Sequence, residues 1–144
     1  MAKQSGRRVA AAVLEITLLV TRLVTPEVRR GGGPKHLSLS HMRALGFLDA
    51  SPDADLSAVA DYVGLTLPSM STLVDGLVRR ALVTRLAASH DRRRLRLRLT
   101  ATGTKALRTA LAAAEAVLEA RFSDLPAAER GRVVRAMARL RPLL

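Results

Sequence analysis

DRRRLRLRLT, Asp91–Thr100, places five arginines within seven residues and alternates the last of them with leucines. A period of two is typical of a β-strand, in which successive side chains point to opposite faces. The leucines would then face a core, and the arginines between them would face away from it. A charged edge strand that avoids pairing with other chains would show the same pattern, so the flanking sequence has to decide.

Length and charge narrow the class of protein. The chain has 144 residues, which is in the usual range for one domain with a modest core. Lys and Arg number 24 against 12 Asp and Glu, and the net charge of +12 favours a polyanionic partner. Two Phe, one Tyr and no Trp are too few to stack on unpaired bases. Double-stranded nucleic acid is therefore the favoured partner.

Missing cysteines and scattered histidines argue against disulfide-bonded and metal-binding proteins. The chain has no cysteine, so disulfides, thiolate zinc sites and thiol redox sensing are excluded. Three histidines without a tight spacing are expected to be surface or capping residues, so we expect no metal and no other cofactor. The apolar run Val9–Val20 is interrupted by Glu15 and Thr17, which argues against a signal peptide or a membrane span. A cytoplasmic protein is expected.

Helical patterns precede the arginine-rich stretch. A first helix with an apolar stripe is expected to end before Pro26. RRGGGPK, Arg29–Lys35, is expected to be a loop because it combines three glycines with a proline. Ser38 is the expected N-cap of a second helix that runs to about Ala50.

Two shorter helices with a tight turn between them follow. Asp55 is the expected N-cap of a helix over Leu56–Val63, and Gly64 can supply its left-handed end. Thr66 is expected to cap the next helix, in whose first turn Pro68 is tolerated because no N–H is needed there.

A β-hairpin and two longer helices complete the pattern. Leu82–Leu86 is the expected antiparallel partner of Arg94–Leu99 across a basic loop. Thr100 is expected to cap a fifth helix, and Pro126 to open a sixth.

The order helix, turn, helix, strand, basic loop, strand is that of a winged helix-turn-helix. An ordinary helical hairpin would share the helical part, and the arginine-rich hairpin behind it favours the winged form. The predicted fold class is mainly α (α+β), a winged helix-turn-helix with flanking N- and C-terminal dimerisation helices. We expect a single domain over 1–144, with a DNA-binding region at 37–100 and dimerisation helices at 5–25 and 101–144.

Three stretches of the chain resemble a known family. They are LSLSHMRAL at Leu37–Leu45, LSAVADYVGLTLPSMSTLVDGLVRRALV at Leu56–Val83, and DRRRLRLRLTATG at Asp91–Gly103. With them, nearly the whole chain resembles the MarR family of bacterial transcriptional regulators. The third stretch is the most specific, because D-R-R, an alternating strand and L-T-x-x-G at the start of a helix resemble the family's wing.

The resemblance implies roles for the tip of the hairpin. The implied wing residues are Asp91, Arg92, Arg93 and Arg94. Arg93 would enter the minor groove, and Asp91 would position the wing through an ion pair. A guanidinium suits a narrow, negatively charged groove, which agrees with this role. Arg96 and Arg98 lie farther from the tip, and contact with phosphate is less expected there.

The helix that begins at Leu67 would then be the recognition helix, with its amino end in the major groove. Its candidate DNA contacts are Thr66, Pro68, Ser69, Ser71 and Thr72. Two positions depart from the family pattern: a basic residue is common near Thr72, and glycine is usual at Ala81. The helix has no Lys or Arg before Arg79. Sequence readout would therefore rest on hydroxyls, methyl groups and groove shape.

The flanking helices carry more apolar surface than one small domain needs. A symmetric operator requires two recognition helices about 34 Å apart, so we expect a homodimer. The candidate dimerisation residues are Val9, Val13, Ile16, Val20, Leu111, Leu118, Val133, Met137 and Leu140. Closure of a monomeric bundle by the same stripes is the alternative.

The predicted function is sequence-specific binding of double-stranded DNA by a transcriptional regulator. The expected form is a ligand-responsive repressor that acts as a homodimer on a pseudo-palindromic operator, and the sequence does not identify the small-molecule effector. A non-specific architectural DNA-binding protein is the alternative. The sequence has no phosphate-cradling glycine loop and no nucleophile with an evident base, so no enzymatic activity and no catalytic residue are expected.

Overall fold

Six α-helices and one two-stranded sheet are formed by the residues that the computed structural model describes, which are 2–31, 36–87 and 95–144. The helices are α1 (Ala2–Gly31), α2 (Leu39–Ala50), α3 (Leu56–Val63), α4 (Leu67–Arg79), α5 (Ala101–Phe122) and α6 (Ala127–Leu140). The strands are β1 (Val83–Ala87) and β2 (Leu95–Leu99), and a short 3₁₀ turn, Arg141–Leu143, follows α6. This order confirms the predicted winged helix-turn-helix.

Polar side chains fix where the central helices begin. Ser38, Asp55, Thr66 and Thr100 each accept a hydrogen bond from the N–H three residues further along the chain. Each bond satisfies a donor that the helix itself leaves unbonded, and a cap of this kind stabilises by about 1 kcal/mol. Gly64, at φ 77°, ends α3 in the left-handed conformation. The predicted caps are confirmed.

The first helix is longer than the sequence predicted. Its expected end before Pro26 is wrong, because α1 continues to Gly31 with the proline inside it. Val24 and Val28, on either side of the proline, are both buried. A proline inside a helix costs about 3 kcal/mol. Burial of a valine contributes about 1.5–3 kcal/mol, so the two valines offset that cost and keep the chain helical.

The core lies where α2, α3 and α4 meet the hairpin and α5. Its largest fully buried side chains include Leu37, Leu45, Leu48, Met70, Leu77 and Leu97. The strands pair antiparallel, with Val83 opposite Leu99 and Ala87 opposite Leu95. Leu97 is buried and Leu99 half-buried, whereas Leu95 is 48% exposed. The leucines of β2 therefore face the core as predicted at Leu97 and Leu99, but not at Leu95.

A close backbone contact joins the hairpin to α5. Thr100 donates its N–H to the Leu82 carbonyl at 3.1 Å and its hydroxyl to the Ala81 carbonyl at 2.6 Å. A Cβ atom at Gly103 would lie 2.0 Å from the Leu82 carbonyl oxygen. Only glycine fits there without a shift of the backbone, which gives the physical reason for the final glycine of L-T-x-x-G.

The flanking helices are far less buried than the centre. α1 packs along α5, yet Leu18 is 71% exposed, and α6 has no buried residue. By length and composition alone, Ser5–Arg30 could cross a membrane. The carboxyl-terminal part of this segment is built into the protein core through Val28, so α1 is part of the folded domain.

Candidate nucleic-acid interface

α4, the expected recognition helix, has an apolar inner face and a polar outer face. Met70, Val74 and Leu77 are buried in the core. The predicted contact residues Thr66, Pro68, Ser69 and Thr72 are exposed, and Ser71 is half-buried. The amino end of α4 is therefore open to a partner.

The hydroxyls at this end are partly bonded to one another. Thr66 Oγ1 donates to Ser69 Oγ at 3.0 Å, and Thr72 Oγ1 donates to the Pro68 carbonyl at 3.2 Å. The Ser69 hydroxyl hydrogen and the Thr72 methyl group are thus available to a duplex. Pro68 has no N–H, and the Ser69 N–H is bonded to Thr66 at 3.4 Å. Within the described residues, the Leu67 N–H is then the first-turn donor left for a phosphate oxygen.

β1 and β2 form the two arms of the hairpin beside α4. Ala87 and Leu95 form the last pair of the described ladder, and both are exposed. The sequence between β1 and β2 contains the predicted wing residues, which lie outside the described residues: Asp91, Arg92, Arg93 and Arg94. Their roles therefore stay predictions.

The two arginines of β2 are bonded within the protein. Arg98 forms a bidentate ion pair with Asp53. Its Nε donates to Asp53 Oδ1 at 2.8 Å, and its Nη2 donates to Asp53 Oδ2 at 2.5 Å. Arg96 donates to the Asp53 carbonyl at 3.2 Å. Hydrogen bonding from Arg98 lowers the pKa of the Asp53 carboxyl, and the same bond raises the pKa of Arg98. Both arginines thus act at the base of the hairpin, in line with the low expectation of phosphate contact.

Sequence reasoning missed three residues that hold the hairpin: Asp53, Asp75 and Arg85. Arg85 of β1 pairs with Asp75 on the outer side of α4. Asp53 lies just after the predicted end of the second helix, and aspartate tolerates the left-handed conformation that it adopts here, at φ 67°. Its partner Arg98 is 45 residues away, and local spacing carries no signal for such a pair.

The histidines of the described residues make local contacts. His41 Nδ1 accepts from the Ser38 N–H at 3.0 Å, so His41 completes a capping box at the start of α2. Burial, and secondly the charge of Arg80, lower the pKa of His41. His36 Nδ1 lies 2.9 Å from the Arg29 carbonyl oxygen. The part of the chain that the structure describes has no group of three or more His, Asp or Glu that could hold a metal ion.

An open apolar groove of about 830 Å³ lies between α1 and α6. It brings together five of the predicted dimerisation residues: Val9, Val13, Ile16, Met137 and Leu140. The other four lie outside this groove. Leu111 and Val133 are exposed, and Val20 and Leu118 are half-buried.

An exposed, capped helix beside a hairpin, with apolar helices at both ends of the chain, defines a winged helix-turn-helix protein. In this class the recognition helix enters the major groove of DNA. Comparisons with known proteins refine this assignment.

A family model described as MarR family matches residues 37–94. The whole chain is similar in structure to the YusO protein of Bacillus subtilis, with a TM-score of 0.73, 18% identity, and coverage of 100% of this chain and 99% of the other. RV1404 of Mycobacterium tuberculosis gives a TM-score of 0.75 and 21% identity, over 94% of this chain and 92% of the other. CouR, a transcriptional repressor bound to a 23-mer DNA duplex, gives a TM-score of 0.66 and 24% identity, over 88% of this chain and 87% of the other.

No curated protein matches the chain in sequence. At these identities the structural similarity establishes the fold alone. The family model adds a match in sequence over the winged helix. Residues 37–94 thus match the MarR family in sequence, and the chain as a whole has the winged helix-turn-helix fold.

Proposed function

We propose that this protein regulates transcription as a homodimer that binds a pseudo-palindromic operator in double-stranded DNA. The observation that carries the proposal is the open amino end of α4, held directly beside a hairpin whose tip sequence contains Arg92, Arg93 and Arg94. A helix and a hairpin so placed can enter adjacent grooves of one duplex.

The residues at the two contact points have different tasks. Ser69 and Thr72 offer a hydroxyl and a methyl group, which distinguish bases in the major groove. Arg93 at the hairpin tip would enter the minor groove, where a guanidinium responds to groove width. The Leu67 N–H, which directly follows the Thr66 cap, suits a phosphate oxygen, and such a contact would set the register of the helix on the duplex.

The exposed apolar surface of α1 supports the homodimer. Val9, Val13 and Ile16 line the groove with α6, whereas Leu14 and Leu18 are exposed on another side of the same helix. A single flat contact would cover only one of these sides. A second copy that encloses α1 would cover both, so the proposed division of the chain is DNA binding at 37–100 and dimerisation at 5–25 and 101–144, with Val20, Leu111, Leu118, Val133, Met137 and Leu140 in the interface.

Repression and a response to a small molecule complete the proposal. CouR is a transcriptional repressor of the same fold, which supports repression by occupation of the operator. An effector would act by preferring the spacing of the two recognition helices that does not fit DNA, because equal affinity for both states shifts nothing. A regulator of this kind acts in the cytoplasm.

A non-specific architectural role is the second candidate, favoured by the absence of Lys and Arg from the first three turns of α4. The test is selection of duplexes from a random pool by the whole protein, followed by titration of a selected and a scrambled duplex at several salt concentrations. We expect a pseudo-palindrome bound at least about 1,000-fold more tightly than the scrambled duplex. Equal affinities would establish the architectural role instead.

The same duplexes test the contact residues. Arg93→Ala should weaken binding by about 1–3 kcal/mol and leave the dimer intact. Arg135→Ala, at an exposed arginine of α6, is the matched control and should leave the affinity for the selected duplex nearly unchanged. Ser69→Ala and Thr72→Ala should change the preferred sequence, whereas an equal loss on every sequence would make them phosphate contacts.

A further inference from the structure

The hairpin is tied to the rest of the protein by two ion pairs on its opposite faces. In the register of the strands, Arg85 lies opposite Leu97, and Arg98 lies opposite Thr84. Neighbouring positions along a strand point to opposite faces, so the two arginines project to different sides of the hairpin. Arg85 reaches Asp75 on α4, and Arg98 reaches Asp53 in the turn after α2.

The contact at Asp53 is more than one ion pair. The Asp53 N–H donates to the Leu97 carbonyl at 3.0 Å, and the Leu97 N–H donates to the Ala54 carbonyl at 2.9 Å. Ala54 and Leu97 thus form an isolated antiparallel bridge on the edge of β2 that is not paired with β1. With the Arg96 and Arg98 bonds, all hydrogen-bonding groups of Asp53 are directed at β2.

These contacts are poorly explained as sources of stability. Both aspartates and both arginines are roughly one-third to one-half exposed, and ion pairs this exposed contribute little to folding. What they do fix is direction, because a two-stranded hairpin that projects from a core is marginally stable by itself. A duplex accepts the helix and the hairpin together only when the angle between them matches its grooves.

We propose that Asp53 and Asp75 are positioning residues for DNA binding, which hold the hairpin from both faces at the angle to α4 that the duplex requires. This inference rests on the proposed function. Neither residue needs to touch DNA. Asp75 holds the first strand to the recognition helix, and Asp53 holds the second strand to the turn before α3.

The sign of the effect separates positioning from simple electrostatics. Aspartate-to-asparagine changes make the protein more positive, and more positive proteins bind the phosphate backbone more tightly. Loss of positioning would weaken binding instead. Asparagine also tolerates the left-handed conformation at position 53, so Asp53→Asn keeps the backbone as it is. Asp53→Gly is a second variant that accepts the same left-handed conformation.

The experiment measures affinity and minor-groove protection for the full-length protein on the duplex selected by the wild type. Asp53→Asn, Asp53→Gly and Asp75→Asn should each weaken binding by about threefold to thirtyfold at constant salt. Hydroxyl-radical protection should fall in the minor groove flanking each half-site and persist beside the recognition helix. Asp61→Asn, an exposed aspartate of α3, is the matched control and should bind as tightly as the wild type or more tightly.

A double variant tests whether Asp53 acts through Arg98. Asp53→Asn combined with Arg98→Gln should lose less affinity than the sum of the two single losses, because each single change already breaks the pair. Affinity that is unchanged or increased in Asp53→Asn and Asp75→Asn, or protection lost equally in both grooves, would overturn the proposal. A wild-type protein that binds no duplex would instead remove the proposed function on which it rests.

Discussion

The winged helix and the flanking helices differ in how far one copy of the chain satisfies their chemistry. Every buried apolar residue of the described chain lies between positions 37 and 97 except four, which are Val24, Val28, Leu107 and Ala110. The flanking helices instead expose apolar side chains on α1, α5 and α6. The winged helix therefore buries its apolar side chains within one copy, whereas the flanking helices leave apolar surface that the proposed second copy would cover.

Charge divides the two regions in the same way. Residues 36–87 and 95–100 carry six basic and five acidic side chains, whereas residues 1–31 and 101–144 carry 14 and six. Most of the positive charge that suggested a nucleic-acid partner thus lies outside the helix-turn-helix. This charge can attract DNA over a distance, but it cannot read a sequence. Under the proposed function, readout would depend on the few residues at the start of α4 and on the arginines between β1 and β2.

The largest expected effect tests whether a second copy covers the flanking helices. Val13→Glu or Met137→Glu places a charge in the groove between α1 and α6. An unpaired charge buried in an interface costs about 3–5 kcal/mol, and a symmetric dimer would bury two of them. Sedimentation equilibrium should show monomers, while the thermal transition of the winged helix persists.

Ser57→Glu is the control for the dimer prediction, because Ser57 is exposed on α3 and far in sequence from the groove. This variant should remain dimeric. A Val13→Glu protein that also stays dimeric would break the comparison, since the exposed apolar groove would then have no partner.

The second prediction concerns the point where the two regions join. Gly103→Ala would place a Cβ atom 2.0 Å from the Leu82 carbonyl oxygen, and this neighbour is backbone, which cannot move aside as a flexible side chain can. We expect a loss of about 3 kcal/mol in the free energy of unfolding, measured by urea denaturation. Gly46→Ala in α2 meets open space and should stabilise by about 0.5–1 kcal/mol. Equal effects of the two changes would contradict a close contact at this junction.

The third prediction concerns backbone strain that remains within the winged helix. Ala81, where the resemblance to the family leads one to expect glycine, adopts φ 56°. A left-handed alanine costs about 1 kcal/mol relative to glycine, so Ala81→Gly should raise the free energy of unfolding by about that amount. Ala112→Gly, at an exposed helical position of α5, should lower it by about 1 kcal/mol. The same chemical change should thus have opposite signs in urea denaturation.

Features set by neighbouring residues could be predicted from the sequence. The caps at Ser38, Asp55, Thr66 and Thr100 depend on a side chain and an N–H three residues apart, so the sequence contains both partners within one turn. The L-T-x-x-G stretch was identified instead by its resemblance to the family's wing, and only the structure shows that Gly103 faces the Leu82 carbonyl.

Features set by distant residues could not be predicted. The end of α1 depends on burial of Val24 and Val28 against the core, which no local pattern around Pro26 reports. The pairs of Asp53 with Arg98 and of Asp75 with Arg85 join different elements, so they become visible only when the chain is folded. Of the candidate site, the amino end of α4 is exposed as expected, while the DNA contacts of its residues and of the wing residues stay predictions.

The smallest expected effect is a pH dependence confined to the winged helix. His41 Nδ1 must be unprotonated to accept the Ser38 N–H, and burial lowers the pKa of His41 below its usual 6.5. The unfolded chain therefore binds more protons than the folded one between the two pKa values, so stability falls as the pH drops below about 6.5. The loss stops growing once the pH is below the pKa of His41 in the folded protein, because both states are then protonated. His41→Gln keeps a capping-box acceptor without titrating, and its urea midpoint should depend less on pH than that of the wild type or of His36→Gln. An equal pH dependence in all three proteins would place the titrating group outside the start of α2.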